Sequence, residues 1–387
     1  MLPVKRSSIA PQVVFLGVAS LLNDVSSDII YPLLPIFLTT TLGATPAVLG
    51  LIEGTAEAVA ASLKYGAGAF SDRFPRRKPF VVSGYALAAI ARILVAIAAW
   101  WPTVLAGRLL DKAGKGIRSA PRDALIAEVT SPESRGRAFG FHRALDHTGA
   151  VLGPLLAFAL LGWFAVPLRT LFMIAVIPGL VGVVVLIVAL KEEPRKVASR
   201  NKEPTSRAPL PPSFWKALGA IALFSLANAS DAFLLLQASA AGVAARWLPI
   251  LWAAHHVVRS LFSTKAGALS DRIGRRRLLV TGWVVYAVIY LLFPFARTLP
   301  FFLALFVLYA IPFTLTEGAE RAWVAGFAPG PLRGRAFGLY YLVVGLFTLG
   351  GTAIFGWLYQ TIAPITAFHA AAGFAILAAV SVVGKDE

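Results

Sequence analysis

The chain has 387 residues, of which 58% are hydrophobic and 14% charged, with no cysteine and a net charge of +17. A water-soluble domain carries roughly 25% charged residues, so an ordinary soluble protein is excluded. The missing cysteines exclude disulfides, thiol catalysis and thiolate metal sites. The basic excess lies in short segments between apolar runs, the positive-inside arrangement of membrane proteins, which sets nucleic-acid binding aside.

Residues 1–8 are short and basic, with Lys5 and Arg6. The apolar run after them is too long for the core of a secretory leader and reads as a first membrane span. Spans of about 20 residues are predicted near 11–39, 46–70, 79–100, 102–129, 137–162 and 167–190. A second set follows near 213–238, 244–269, 278–296, 299–326, 336–358 and 363–384. Between the sets, residues 191–212 carry six Lys and Arg and five prolines, the composition of a linker. The expected domains are a six-helix bundle over 1–190, a cytoplasmic linker over 191–212 and a second bundle over 213–387.

The cations cluster in even-numbered loops: Arg73, Arg76, Arg77 and Lys78 in the second, Arg135 and Arg137 in the fourth, the linker as the sixth, Arg272, Arg275, Arg276 and Arg277 in the eighth, Arg333 and Arg335 in the tenth. Even loops and both termini are therefore expected to be cytoplasmic in a multi-pass cell-membrane protein. Trp100, Trp101, Trp247 and Trp252 fall near predicted span ends and read as interfacial anchors.

The sequence repeats itself. Gly68-Ala-Phe-Ser-Asp72-Arg73-Phe-Pro-Arg76-Arg77 recurs 199 residues later as Gly267-Ala-Leu-Ser-Asp271-Arg272-Ile-Gly-Arg275-Arg276, and Arg135-Gly-Arg-Ala-Phe-Gly140 recurs 198 residues later from Arg333. Nearly equal offsets imply two homologous six-helix halves. In such an architecture the substrate site lies between the halves near mid-membrane, and rocking gives alternating access.

At these residues the chain resembles the major facilitator superfamily, whose loop signature G-x-x-x-D-R-x-G-R-R appears twice, with Pro75 replacing Gly in the first copy. Arg108-Leu-Leu-Asp-Lys-Ala-Gly114-Lys-Gly116 is similar to the family's fourth-helix motif, with Lys112 where a first glycine is usual. Gly149-Ala-Val-Leu-Gly153-Pro154 resembles the fifth-helix motif of proton-coupled exporters. Glycine spacing alone reads as helix packing; Pro154 favours the family motif. The resemblance implies an all-α membrane fold of twelve helices in two bundles. It also implies a gating cluster at Asp72, Arg76 and Asp123, with Gly68, Arg73, Gly267, Asp271, Arg272 and Arg275 completing the loop motifs. Arg77, Lys78, Arg276 and Arg277 are read as topology-fixing cations only.

Charges inside spans are functional candidates by default, because each costs several kcal/mol unless paired or hydrated. Asp24 and Asp28 share a face of the first helix, and Glu53, Glu57 and Lys64 form a stripe on the second. In the fourth, Arg108, Lys112, Lys115 and Arg122 share a face that cannot meet lipid. In the superfamily the first and fourth helices of each half line the cavity. That resemblance makes Asp24, Asp28, Arg108, Lys112, Lys115, Arg118, Asp231, Glu317, Glu320 and Arg321 the cavity candidates. Asp24 and Asp28 are either proton carriers or permanent partners of the helix-4 cations. A cavity rich in Lys and Arg suits anionic cargo, unless acids of the first two helices neutralise it.

His255 and His256 are adjacent, and His142 and His147 are five apart, so neither pair has the spacing of a helical metal site. No metal or other cofactor is expected. No Walker A run or nucleophile–base constellation appears, so an enzyme is not expected. The resulting expectation is a monomeric secondary transporter, partnered by the bilayer, protons and a small molecule. Proton-coupled efflux of a drug or anionic metabolite leads. The alternatives are nutrient uptake or facilitated diffusion, metal-ion export, or, outside transport, a membrane sensor or lipid-processing enzyme.

Overall fold

The computed structural model describes residues 9–71, 74–130, 135–193, 209–327 and 333–383; the side chains of 64–69, 135–137, 140, 260, 263–273, 318, 322, 325 and 333–334 also lie outside that description. Every regular element among the described residues is helical. The first half comprises α1 (Pro11–Ile30), α2 (Pro46–Ser71), α3 (Lys78–Ile97), α4 (Trp101–Glu128), α5 (Arg135–Gly162) and α6 (Leu168–Ala189). The second comprises α7 (Pro212–Ala227, resuming as Ala232–Ala240), α8 (Leu248–Ile273), α9 (Arg275–Leu292), α10 (Leu299–Gly326), α11 (Arg333–Thr361) and α12 (Pro364–Val383). Proline opens α1, α2, α7 and α12, at the position where its missing N–H has no helical partner to lose.

Ten of these stretches are apolar and long enough to cross a membrane. The other two, α4 and α8, have 28 and 26 residues, which is also enough, but their charges give them polar faces. Two spans depart from the expected straight helices. Beyond Ile30, Pro32 and Pro35 remove backbone donors, and α1 continues to Thr41 through 3₁₀ and π turns. In α7 the sequence Asn-Ala-Ser-Asp at 228–231, all but one a turn former, interrupts the helix.

Packing follows a two-fold plan. Within the first half, α1 packs on α5 and α6, α4 on α2 and α3, and α3 on α6. Each pairing recurs six helices later, as α7 on α11 and α12, α10 on α8 and α9, and α9 on α12. The halves meet through α2 on α11 and α5 on α8, again equivalent pairs. Small residues let the first of these pairs approach: a Cβ at Gly50 would lie 2.7 Å from the Thr352 carbonyl oxygen, and one at Gly356 2.8 Å from that of Pro46.

Most of the other contacts between halves cluster at the face opposite the start of α1, here called the far face. There the Phe158 and Trp247 rings lie 5.1 Å apart, and the Ala47 N–H donates to Gln360 Oε1 at 3.2 Å. Leu180, Val184, Ile187 and Val188 on α6 are exposed, as expected for side chains that meet lipid.

Candidate functional site

On the terminus side of that closure lies a cavity of about 470 Å³ between the halves, lined by residues of α1, α2, α3, α4, α5, α7, α8 and α10. Tight packing of small residues fixes its walls. A Cβ at Gly149 of α5 would lie 2.5 Å from the Leu21 carbonyl oxygen and 2.9 Å from Asp24 Cβ; one at Gly153 would lie 2.6 Å from the Val25 carbonyl oxygen and 3.1 Å from Asp28 Cβ. The fifth-helix motif thus seats the two turns of α1 that carry the acids. Gly351, the counterpart of Gly153 by the 198-residue repeat, meets the Leu226 carbonyl of α7 in the same way. On the opposite wall, Gly84 of α3 and Gly114 of α4 put their backbones in direct contact. The fourth helix therefore packs closely although Lys112 replaces a glycine.

Two of the α4 cations find their partners on α2. Arg108 grips Glu53 with two parallel hydrogen bonds of 2.8 Å, both side chains being buried. One turn on, Lys112 pairs with Glu57. Asp111 lies 3.7 Å from Arg92 and 3.8 Å from Arg108. In the second half the signs are exchanged: the cation Arg259 is on α8 and its partner Glu317 on α10, at 2.9 Å. Arg321 meets the other oxygen of Glu317 at 3.0 Å.

The α1 acids are held differently. Asp24 accepts from Asn23 Nδ2 at 2.9 Å, and Asp28 from Trp252 Nε1 of the other half at 2.9 Å. At the α7 interruption, Asp231 accepts from the Tyr309 hydroxyl at 2.6 Å. Among the described residues none of these three carboxylates forms an ion pair within 4 Å with Lys or Arg. Permanent pairing of Asp24 and Asp28 with the helix-4 cations is therefore not what the structure shows.

Asp24, Asp28, Arg108, Lys112, Lys115, Arg118, Asp231 and Glu317 all line the cavity. Glu320 and Arg321 are outside its lining; Glu320 lies beside Tyr340 instead. Sequence reasoning passed over Arg92, buried in the apolar helix α3, where it donates to Asn23 Oδ1 at 2.8 Å. A lone arginine in the middle of a span was the available signal. It also misassigned Trp252. That ring is 7% exposed, 4.7 Å from the Tyr31 ring and bonded to Asp28, so it is a cavity residue and no interfacial anchor.

Of the loop motifs, Asp72 and Arg73 lie outside the described residues, as do the side chains of Gly68, Gly267, Asp271 and Arg272. Arg76 and Arg275 are exposed, and Asp123 pairs with its neighbour Arg122 at 3.1 Å. The positions next to them make specific contacts. Arg77 is buried and pairs with Glu128, and the Arg77 and Lys78 N–H groups donate to Glu192 at 2.7 Å each. Arg276 binds the Val382 carbonyl at the end of α12. Both loops are thus tied to the end of the sixth helix of their half. Arg77 and Arg276 do more than set topology.

Among the described residues no group of three or more His, Asp or Glu side chains has the geometry of a metal site. His142 instead approaches Asp146, one turn along α5, at 3.5 Å.

Comparison with known proteins agrees with this architecture. An uncharacterized MFS-type transporter of Methanocaldococcus jannaschii, MJ1317, is 32% identical over 358 residues, 91% of this chain and 89% of the relative. A probable 4-methylmuconolactone transporter of Cupriavidus pinatubonensis is 31% identical over 68% of this chain and 64% of its own length. The crystal structure of a peptide transporter, POT, superposes with a TM-score of 0.77 at 12% identity, covering 96% of this chain and 93% of that one, a likeness of fold. The sequence matches the Major Facilitator Superfamily over residues 16–257 and 252–386. With the paired halves and the cavity between them, this makes the chain a member of that superfamily, a membrane-embedded secondary transporter.

Proposed function

We propose that the protein couples movement of a small organic molecule to protons, with Asp24 and Asp28 as the proton carriers. The observation that carries this is the kind of partner each acid has. The structural carboxylates Glu53 and Glu57 are neutralised by Arg108 and Lys112, whereas Asp24 and Asp28 are held by neutral donors in the same cavity. A carboxylate without a bound cation can gain a proton without breaking an ion pair. Asp28 also bonds across the halves, so its protonation acts on the contact that alternating access must break.

The bundles over 1–190 and 213–387 rock about this cavity, in a monomer whose termini face the cytoplasm of the cell. The loop motifs around Asp72, Arg76 and Asp123 gate the cytoplasmic side. Two directions suit these carriers. Efflux by antiport, as in drug exporters, is supported by the pattern at Gly149, Gly153 and Pro154, although packing against α1 also accounts for its glycines. Uptake with the proton is supported by the cavity's charges. The test is pH-gradient-driven flux of 4-methylmuconolactone, the cargo named for one relative, in proteoliposomes. Asp24→Asn and Asp28→Asn should lose gradient-driven accumulation but keep exchange. Undiminished accumulation by the double variant rules these carriers out.

A further inference from the structure

Three cations of the cavity have no use in the pairing just described: Lys115 and Arg118 of α4, and Arg143 of α5. Lys115 and Arg118 stand one turn apart on α4 and both line the cavity. Among the described residues neither forms an ion pair. Lys115 is exposed to the cavity. Arg118 is buried, with its guanidinium 4.4 Å from the Tyr85 ring and one bond of 3.2 Å to the Gly84 carbonyl. Their charges act on Asp24, and that of Lys115 on Asp28 as well, without direct contact. The cavity therefore holds two α4 cations and two α1 carboxylates that make no ion pair with one another, with a gap between them.

We infer that this gap binds the carboxylate of an organic anion at Lys115 and Arg118, and that the anion and the proton on the α1 acids bind together. The inference rests on the proton reading of Asp24 and Asp28 and adds the class of cargo. While the acids are ionised they serve Lys115 and Arg118 as distant counter-charges. Protonation removes those counter-charges and leaves the cations to an incoming anion. The reverse holds by linkage: an anion placed in the gap repels the ionised acids and favours their protonated forms.

Other charges face the same acids. Asp146 of α5 adds to the repulsion, Arg92 of α3 donates from Nη2 to Asn23 and lies 3.7 Å from Asp111 while its Nε and Nη1 have no hydrogen-bond partner among the described residues, and Trp252 of α8 is a neutral donor. Beyond Lys115 toward the far face, two helical turns or about 10 Å lead to Arg108, which lies over the Tyr31 ring next to Trp252. This distance suits a small molecule with a carboxylate at one end and an apolar or aromatic body on the Tyr31 and Trp252 floor. Anion and proton then travel in the same direction, as a symporter requires.

The probe is benzoate, with neutral benzamide as its match in shape, added to the full-length protein in weakly buffered detergent solution. Benzoate should bind at least tenfold more tightly than benzamide and take up protons as it binds. Its affinity should fall about tenfold per pH unit in the alkaline range, as linkage to one proton requires. Lys115→Gln should lose the preference for benzoate and Lys115→Arg should keep it, which separates the charge from folding. Asp24→Asn combined with Asp28→Asn should keep the preference but take up no protons. Absence of benzoate binding, or binding no tighter than that of benzamide, overturns the carboxylate site. Proton release on binding overturns the co-binding. Proton uptake that survives in the double Asn variant overturns the carrier reading and leaves the anion site standing.

Discussion

The Trp252 indole of α8 donates to Asp28 of α1 at 2.9 Å, so one proposed carrier of the first half is bonded directly to the second. A hydrogen bond to an ionised group contributes about 1.5–3 kcal/mol, and protonation roughly halves its strength. Trp252→Phe keeps an aromatic ring, though a smaller one, and removes the donor. It should shift the protein toward opening at the far face. The chain has no native cysteine, so a single cysteine at Ser27, in the cavity wall, gives a clean readout. Its labelling by a membrane-impermeant reagent from the far side should rise about tenfold in the variant, and acidification should add little further. Unchanged labelling would remove the bond from the closing mechanism.

The buried pair of Glu53 and Arg108 predicts a different pattern. Removing one member leaves a charge without its partner, at a cost of about 3–5 kcal/mol. Glu53→Gln and Arg108→Met should each lower the melting temperature markedly in detergent. Glu53→Leu combined with Arg108→Met should recover most of the loss, since two apolar side chains replace two compensated charges. A double variant as unstable as the sum of the singles contradicts this account.

Gly149 and Gly219 offer a paired test of packing. At Gly149 a Cβ meets the backbone of α1, which cannot swing aside; at Gly219, on α7, it meets nothing within 4 Å. Gly149→Ala should cost about 1–3 kcal/mol, while Gly219→Ala should stabilise by about 0.5–1 kcal/mol through lower backbone entropy. Equal melting temperatures for the two variants would show that α1 and α5 have slack that the distances do not suggest.

Glu192 receives the N–H groups of Arg77, the N-cap of α3, and of Lys78, its first residue, which places a negative charge at the helix's positive end. Glu192→Ala should destabilise the first half by about 1 kcal/mol. It should also speed hydrogen exchange at Arg77 and Lys78 while leaving the core of α3 protected. Exchange at those two amides that does not change would place the support elsewhere.

The helices and their repeat were legible because they follow from local rules: run length, proline and glycine punctuation, and the recurrence at 198 and 199 residues. Partners were less so. Spacing along α4 shows that Arg108 and Lys112 share a face, but only the packing of α4 on α2 shows that Glu53 and Glu57 neutralise them and Asp24 and Asp28 do not. Trp252 was misread because α8 was expected from residue 244. The helix proper begins at Leu248 after a 3₁₀ turn, and the ring points into the cavity from its first turns. The break in α7 had its signal in Asn228, Ser230 and Asp231, outweighed by the apolar residues on either side.

The exchange of charge signs between halves bears on how a duplicated bundle avoids its own copy. Acids sit on α2 and cations on α4, but the cation is on α8 and its acid on α10. Two unmodified first halves, brought face to face, would present Lys115 and Arg118 to a second Lys115 and Arg118. In the actual chain those cations share their cavity with Glu317 and Asp231. A partner of the opposite polarity lacks that like-charge juxtaposition, and like-charge contacts penalise the wrong partner. The charges that line the cavity thereby distinguish each half from its sister, although the helices of both pack alike.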